Sequence, residues 1–318
     1  MNIRFFALLF LCIACKVEVT PLPEEEAPLT WTQGRNDYNL EIDSATRNFV
    51  IHVPASYDET SPVPLVLMLH GSGGDGAKFY NISKWVQKAD EQGFIAVFPT
   101  ALEYILLDNR RSTKWSAGGL EEELAPGQTI KDDIGFIEEL VEMVKASFEI
   151  NARKVYISGF SNGGGFVKSS VVPRLSHVFA AANFTGGVGI PELSIMQGNR
   201  IMPCYNISGS MDAKIRAKTG VPDELPLSGA DLEGHAFLWK SLTNMCEMLQ
   251  LDTVYTETPN PPAYNLLTFD QGLVPESEQF VFVMVKGMEH VYPNGGNNSQ
   301  NLIAVNLLWP WFDQFELP

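Results

Sequence analysis

The stretch that most restricts what this chain can fold into is KVYISGFSNGGG, residues 154–165. Val155, Tyr156 and Ile157 are β-branched or aromatic and form a run short enough for a buried strand, which Gly159 closes. Gly159-Phe160-Ser161-Asn162-Gly163 then reads G-x-S-x-G, the pattern of a strand that turns sharply into a helix and leaves a serine hydroxyl exposed at the corner. Small residues two positions to either side of Ser161 let strand and helix approach without a Cβ clash. Three fixed positions in five recur by chance, so the context carries the argument: a strand before, and the helix-compatible GGGFVKSSVV after. The alternative is a glycine-rich strand-to-helix loop with a solvated serine.

Upstream, Pro64-Leu65-Val66-Leu67-Met68-Leu69 is unbroken apolar sequence, as expected of a strand buried on both faces of a parallel sheet. It runs into His70-Gly71-Ser72-Gly73-Gly74, where glycines leave backbone N–H groups free to point into a pocket. A phosphate cradle would need G-x-x-x-x-G-K-[ST], which is absent. His70 reads as a residue that orients this loop. Residues 48–54, 94–98, 179–183, 203–208 and 280–285 are further strand candidates. Residues 83–92, 234–249 and 302–315 read as helices, Pro310 kinking the last or starting its second half. Asp132 and Asp133 open the clearest helix, as N-cap and first-turn dipole partner. Residues 101–128 are poorly periodic and read as a long excursion over the sheet edge, with Trp115 among glycines and a solvated acidic cluster at 121–124. Strands alternating with helices predict one α/β domain over 36–318, a doubly wound, mainly parallel sheet with helices on both faces.

The ends and the charge narrow the function. Residues 1–15 carry Arg4 and then an apolar run too short to span a bilayer but suited to an export signal. Ile13-Ala14-Cys15 resembles the lipobox of bacterial lipoproteins, which predicts lipidation at Cys15 and attachment to a membrane; a plain secretory signal is the alternative. Residues 16–35 read as a flexible tether, their first part, KVEVTPLPEEEAP, being rich in proline and glutamate. Of the four cysteines, Cys204 and Cys246 would then remain, either as a disulfide or as two unpaired structural thiols. A formal charge of -16 argues against a nucleic-acid partner, whose phosphates need clustered Lys and Arg. With no C-x-x-C or H-E-x-x-H spacing, no metal or organic cofactor is implied.

If Ser161 is a nucleophile, it needs a base to take its proton and a carboxylate to orient that base, arriving in the order Ser, then Asp or Glu, then His. Among the five histidines, His52 and His70 precede the serine, His177 follows it too closely, and His235 starts a helix. His290 lies just after the strand 280–285, at the carboxyl edge where parallel strands gather a ligand site. Asp212 follows the strand and glycine of Asn206-Ile207-Ser208-Gly209 in the same way. Glu224, Asp231 and Glu233 rank lower, because they fall in a Pro- and Gly-rich stretch with no strand before them.

Taken together, KVYISGFSNGGG, the DDIGFI helix start, LMLHGSGG, ISGSMD and GMEHVYP resemble the poly(3-hydroxybutyrate) depolymerase-like esterases, which are similar to feruloyl and acetylxylan esterases of the α/β-hydrolase fold. The resemblance runs from about residue 47 to the C-terminus. It implies Ser161 as nucleophile, Asp212 as acid and His290 as base, with the backbone N–H groups of Ser72 and Asn162 facing the oxyanion. The pattern departs at the acid motif, which usually begins His-Gly and here reads Ile207-Ser208-Gly209, and at Tyr292, where tryptophan is common. The expected function is hydrolysis of a polysaccharide-linked acyl ester, feruloyl or acetyl, or of a short hydroxyalkanoate polyester. Acyl transfer by the same triad and a catalytically silent carbohydrate-binding lipoprotein are the rivals. Trp85, Trp115, Trp239 and Tyr292 are aromatic candidates for a substrate cleft, with Trp115 and Tyr292 the preferred pair.

Overall fold

The computed structural model describes residues 28–42, 44–187, 200–260 and 263–318. The expected signal and Cys15 lie outside them. Among the described residues ten strands form one sheet: β1 (Gly34–Ile42), β2 (Ala45–Val53), β3 (Val63–Leu69), β4 (Ile95–Pro99), β7 (Ile150–Phe160), β8 (Ala181–Thr185), β9 (Cys204–Gly209), β10 (Thr256–Asn260), β11 (Tyr264–Phe269) and β12 (Phe280–Val285). Their order is β1-β2-β4-β3-β7-β8-β9-β12-β11-β10, with β5 (Glu103–Ile105) and β6 (Arg111–Thr113) paired separately as a hairpin. From β4 to β12 every neighbouring pair is parallel, and antiparallel strands close both edges.

The β3 run explains why the sheet is covered twice. Leu65, Leu67 and Leu69 join a core containing Phe136, Ile137 and Leu140 of α3 (Asp133–Ser147) and Leu238 and Leu242 of α8 (Ala236–Met248). Val66 and Met68 point the other way, to Phe79 of α1 (Gly76–Ile82), Trp85 of α2 (Trp85–Gln92) and Trp309 of α9 (Ala304–Phe312). Alternate side chains of a strand leave on opposite faces, so an all-apolar strand demands an apolar layer on each side. In chain order β4 is laid on one side of β3 and β7 on the other. That reversal puts the crevice beyond the carboxyl ends of β3 and β7, just where the glycine loop and Ser161 begin.

Several expectations need correction. The tether does not extend to residue 35, because Leu29 and Trp31 pack against the core and β1 begins at Gly34. The excursion 101–128 is not structureless. Its hairpin runs beside the glycine loop, the Gly73 N–H donating to the Thr113 carbonyl at 2.9 Å. Pro310 sits inside the last turn of α9, which runs on to Phe312, so it starts no second half; it removes the N–H that would otherwise bond to the Asn306 carbonyl. Asp132 does cap α3, but Asp133 is more than a dipole partner: it is fully buried, 2.7 Å from Arg47 Nη1, and accepts the Ser116 N–H. Of the two states left open for Cys204 and Cys246, the structure shows free, buried thiols.

Candidate active site

Ser161 is the corner between β7 and α4 (Asn162–Phe166), at φ 53° and ψ -116°. A side chain in that region is strained by about 1–3 kcal/mol, so the surrounding glycines must hold it there. A Cβ on Gly159 would stand 2.5 Å from the Gly163 carbonyl oxygen, and one on Gly163 would stand 2.4 Å from that of His70. Neither position tolerates alanine without moving backbone. The glycine loop approaches equally closely, since a Cβ on Gly71 would lie 2.9 Å from Ser161 Cβ.

Asp212 follows β9 and is the N-cap of α6 (Ala213–Thr219); its Oδ1 accepts the N–H groups of Lys214 and Ile215. That leaves Oδ2 for a single partner, the His290 Nδ1–H at 2.7 Å. His290 follows β12, and its Nε2 accepts the Ser161 hydroxyl at 2.7 Å. The carboxylate is 1% exposed and the imidazole 16%, so the carboxylate is dry while the imidazole keeps some access to solvent. Phe160 flanks the imidazole with ring centroids 5.1 Å apart, and a Cβ on Gly186 would touch its Cε1 at 3.3 Å. The arrangement can pass a proton from a hydroxyl to an imidazole whose opposite nitrogen is held by a carboxylate.

The backbone donors expected at an oxyanion belong to the start of α4 and to the glycine loop. Asn162 opens α4, where a first-turn N–H has no intrahelical acceptor. Its side chain is committed elsewhere: Oδ1 accepts the Trp115 N–H at 2.8 Å and Nδ2 donates to the Trp115 carbonyl at 3.3 Å. Ser72 is exposed at the loop tip. The loop's own bonds run from Gly73 to Thr113 and from Gly74 to Gly71, leaving the Ser72 N–H outside them among the described residues.

Neither aromatic expected to bind substrate is available for it. Trp115 is completely buried, stacked between Phe136 and Phe166, and its Nε1–H donates to the His70 carbonyl. Tyr292 is 3% exposed, its hydroxyl accepting the Trp85 Nε1–H at 2.9 Å below the site. Both indole and phenol find their partners inside the protein, as large amphipathic rings do when a core layer needs filling. Trp85 is buried in that layer and Trp239 packs against the core beside Tyr255. A separate cavity between α8 and the strands β9 and β12, lined by Lys168, Asn206, Ser208, Phe237, Leu242 and Phe282 among others, includes no member of the relay.

His70 orients the glycine loop as expected. Its Nδ1–H donates to the Gly71 carbonyl at 2.7 Å, and its Nε2 accepts the Ala101 N–H at 3.0 Å. Burial pushes its pKa down to about 4. The unfolded chain takes up this proton near pH 6.5 and the folded chain refuses it until about 4, so His70 leaves stability intact above pH 6.5 and erodes it as pH falls toward 4. Between about pH 7.5 and about pH 5 the erosion amounts to ~2 kcal/mol. Urea unfolding at those two values should show His70→Asn less pH-sensitive than the parent by that amount; equal sensitivity would place the proton uptake on another group.

The chain is similar to known proteins in both sequence and fold. A family model described as "Esterase PHB depolymerase" matches residues 49–222. The bifunctional acetylxylan esterase/xylanase XynS20E of Neocallimastix patriciarum is 25% identical over 178 residues, 56% of this chain and 23% of that protein. Feruloyl esterase C of Emericella nidulans is 26% identical over 163 residues, 50% of this chain and 51% of that one. The chain therefore spans about a quarter to about half the length of the curated relatives it matches. Among solved structures, an acetyl xylan esterase from Aspergillus awamori superposes with a TM-score of 0.55 at 15% identity, over 88% of this chain and 99% of that one. A thermostable esterase superposes with a TM-score of 0.53 at 12% identity, over 89% and 63%. The fold is that of the α/β-hydrolases.

Proposed function

Because the family model covers more than half its length, the chain belongs to the esterase PHB depolymerase family, and from that membership we propose that it hydrolyses carboxylic esters through an acyl-enzyme on Ser161. The observation that carries the reading is the unbroken line Ser161 Oγ, His290 Nε2, His290 Nδ1, Asp212 Oδ2, with 2.7 Å at each hydrogen bond. His290 takes the Ser161 proton as Oγ attacks the ester carbonyl, then returns it to the departing alcohol; water enters and the sequence repeats in reverse. Asp212 holds the imidazole in the tautomer that keeps Nε2 free to accept and stabilises the imidazolium. The N–H groups of Ser72 and Asn162 receive the tetrahedral oxyanion. Asn162 is anchored for that task through Trp115.

The substrate class we propose is an acyl ester of a polysaccharide, acetyl or feruloyl, supported by the relatives' names; a short hydroxyalkanoate polyester is the second reading, supported by the family's. Export with lipidation at Cys15, one hydrolase domain, and a tether ending near residue 28 complete the proposal. No helix among the described residues is long and apolar enough to cross a membrane. Fluorophosphonate should form a stoichiometric adduct on Ser161, and a panel of acetylated xylan, methyl ferulate and hydroxybutyrate oligomers should show turnover of a carbohydrate-linked ester. Absence of both adduct and turnover would sink the hydrolase reading. Ester formation with an alcohol acceptor in preference to hydrolysis would favour acyl transfer instead.

A further inference from the structure

The ladder between β9 and β12 ends at the pair Gly209 and Val285, short of both relay residues. Asp212 and His290 therefore stand on two loops that the sheet itself does not hold together. What joins them beyond the ladder is a small set of bonds. The Ser210 N–H donates to the Val285 carbonyl and the Met211 N–H to the Met288 carbonyl at 3.0 Å. Gly209 allows this closeness, since a Cβ there would stand 2.1 Å from the Met288 oxygen. The rest of the seam is made by side chains. Gly287, at φ +67°, donates its N–H to Ser210 Oγ at 2.7 Å and to Glu224 Oε1 at 3.1 Å, and Ser210 Oγ–H donates to the same Oε1 at 2.5 Å. Glu224 comes from a third segment, anchored by its neighbour Leu225, which is buried and donates its N–H to the Ser210 carbonyl.

We propose that Glu224 is a positioning residue which, through Ser210 and Gly287, locks the loop bearing Asp212 to the loop bearing His290 and thereby sets the geometry of the relay. The inference rests on the relay working as proposed above. Ser210 is two residues from Asp212 and Gly287 three from His290, so slack in the seam passes directly into the distance between carboxylate and imidazole. Glu224 supplies a single oxygen that accepts both hydrogen bonds, from a stretch, VPDELPLSG, otherwise without a role in the site. An amide oxygen can accept the same two bonds; an aliphatic side chain can accept neither.

That difference makes the test. In Glu224→Leu, kcat for p-nitrophenyl acetate should fall about 10- to 100-fold with KM within about twofold, because an ångström-scale misplacement costs the reacting step and leaves binding alone. Glu224→Gln should recover to within a few-fold of the parent. Ser210→Ala should resemble Glu224→Leu, and the double variant should be no worse than the poorer single, as expected of residues acting as one unit. Parent-like kcat in Glu224→Leu, a Gln variant as impaired as the Leu variant, or penalties that add would each overturn the proposal. Should Glu224→Leu fail to fold by circular dichroism, the milder Ser210→Ala and Glu224→Gln decide. Fluorophosphonate labelling of the parent separates the two levels. An inert, unlabelled parent rejects the relay and the lock with it, whereas a labelled, active parent with unaffected variants rejects the lock alone.

Discussion

Ser161→Ala is expected to cut p-nitrophenyl acetate hydrolysis by about a million-fold, and His290→Ala by the same order, because nucleophile and base act as a unit and either loss removes the covalent route. The residue left should be the smaller catalysis of backbone donors and binding alone, about a thousandfold or more above water. Folding should survive. Ser161 sits at φ 53° whatever its side chain, so alanine keeps the backbone cost that serine already bears, and His290 is only partly buried. Ser161→Gly makes the point from the other side: glycine adopts that conformation freely, so it should abolish activity while raising stability by about 1–2 kcal/mol. Thermal melts and initial rates on the same preparations test both halves. More than about a thousandth of parent activity in a clean Ser161→Ala sample would remove Ser161 from the mechanism.

Asp212→Asn should cost about 10⁴-fold in kcat, the size seen when serine proteases lose this charge. The two oxygens of Asp212 do separate work, which makes the substitution informative. Asparagine retains a side-chain oxygen for the N–H groups of Lys214 and Ile215, and it is as good an N-cap as aspartate, so α6 should stay intact. The amide turned toward His290 then presents N–H where a carboxylate stood. The imidazole must put its proton on Nε2, and it can no longer accept one from Ser161. A rate loss under about tenfold, with unchanged melting, would show that another carboxylate orients the base.

Much of this was legible in the linear chain because the signals are local. An apolar run such as 64–69 carries its own evidence of double burial, and a glycine two residues either side of a serine predicts close backbone approach before any contact is known. The order of serine, acid and base along an alternating α/β chain brought Asp212 and His290 forward, since each follows a strand of the parallel sheet. Other elements passed unseen for the opposite reason. β1 alternates weakly through Tyr38, Leu40 and Ile42 within polar sequence, and β10 is exposed throughout, so edge strands paired on one side only leave little pattern to read. Glu224 looked like a loop carboxylate because its partners, Ser210 and Gly287, are remote in sequence.

What the amino-acid order determined by itself is the repertoire: most of the strands and helices, where the chain turns sharply, and which serine, carboxylate and histidine follow which strand. Tertiary structure alone decided which side chains face the crevice. Trp115 and Tyr292 carry no local mark distinguishing a core ring from a subsite ring, and their burial beneath the site follows from where α2, α3 and α4 pack. It also decided the 2.7 Å contacts of the relay, because distances between residues many positions apart are set by sheet order and loop closure, which depend on the sum of all remote contacts and on no single stretch.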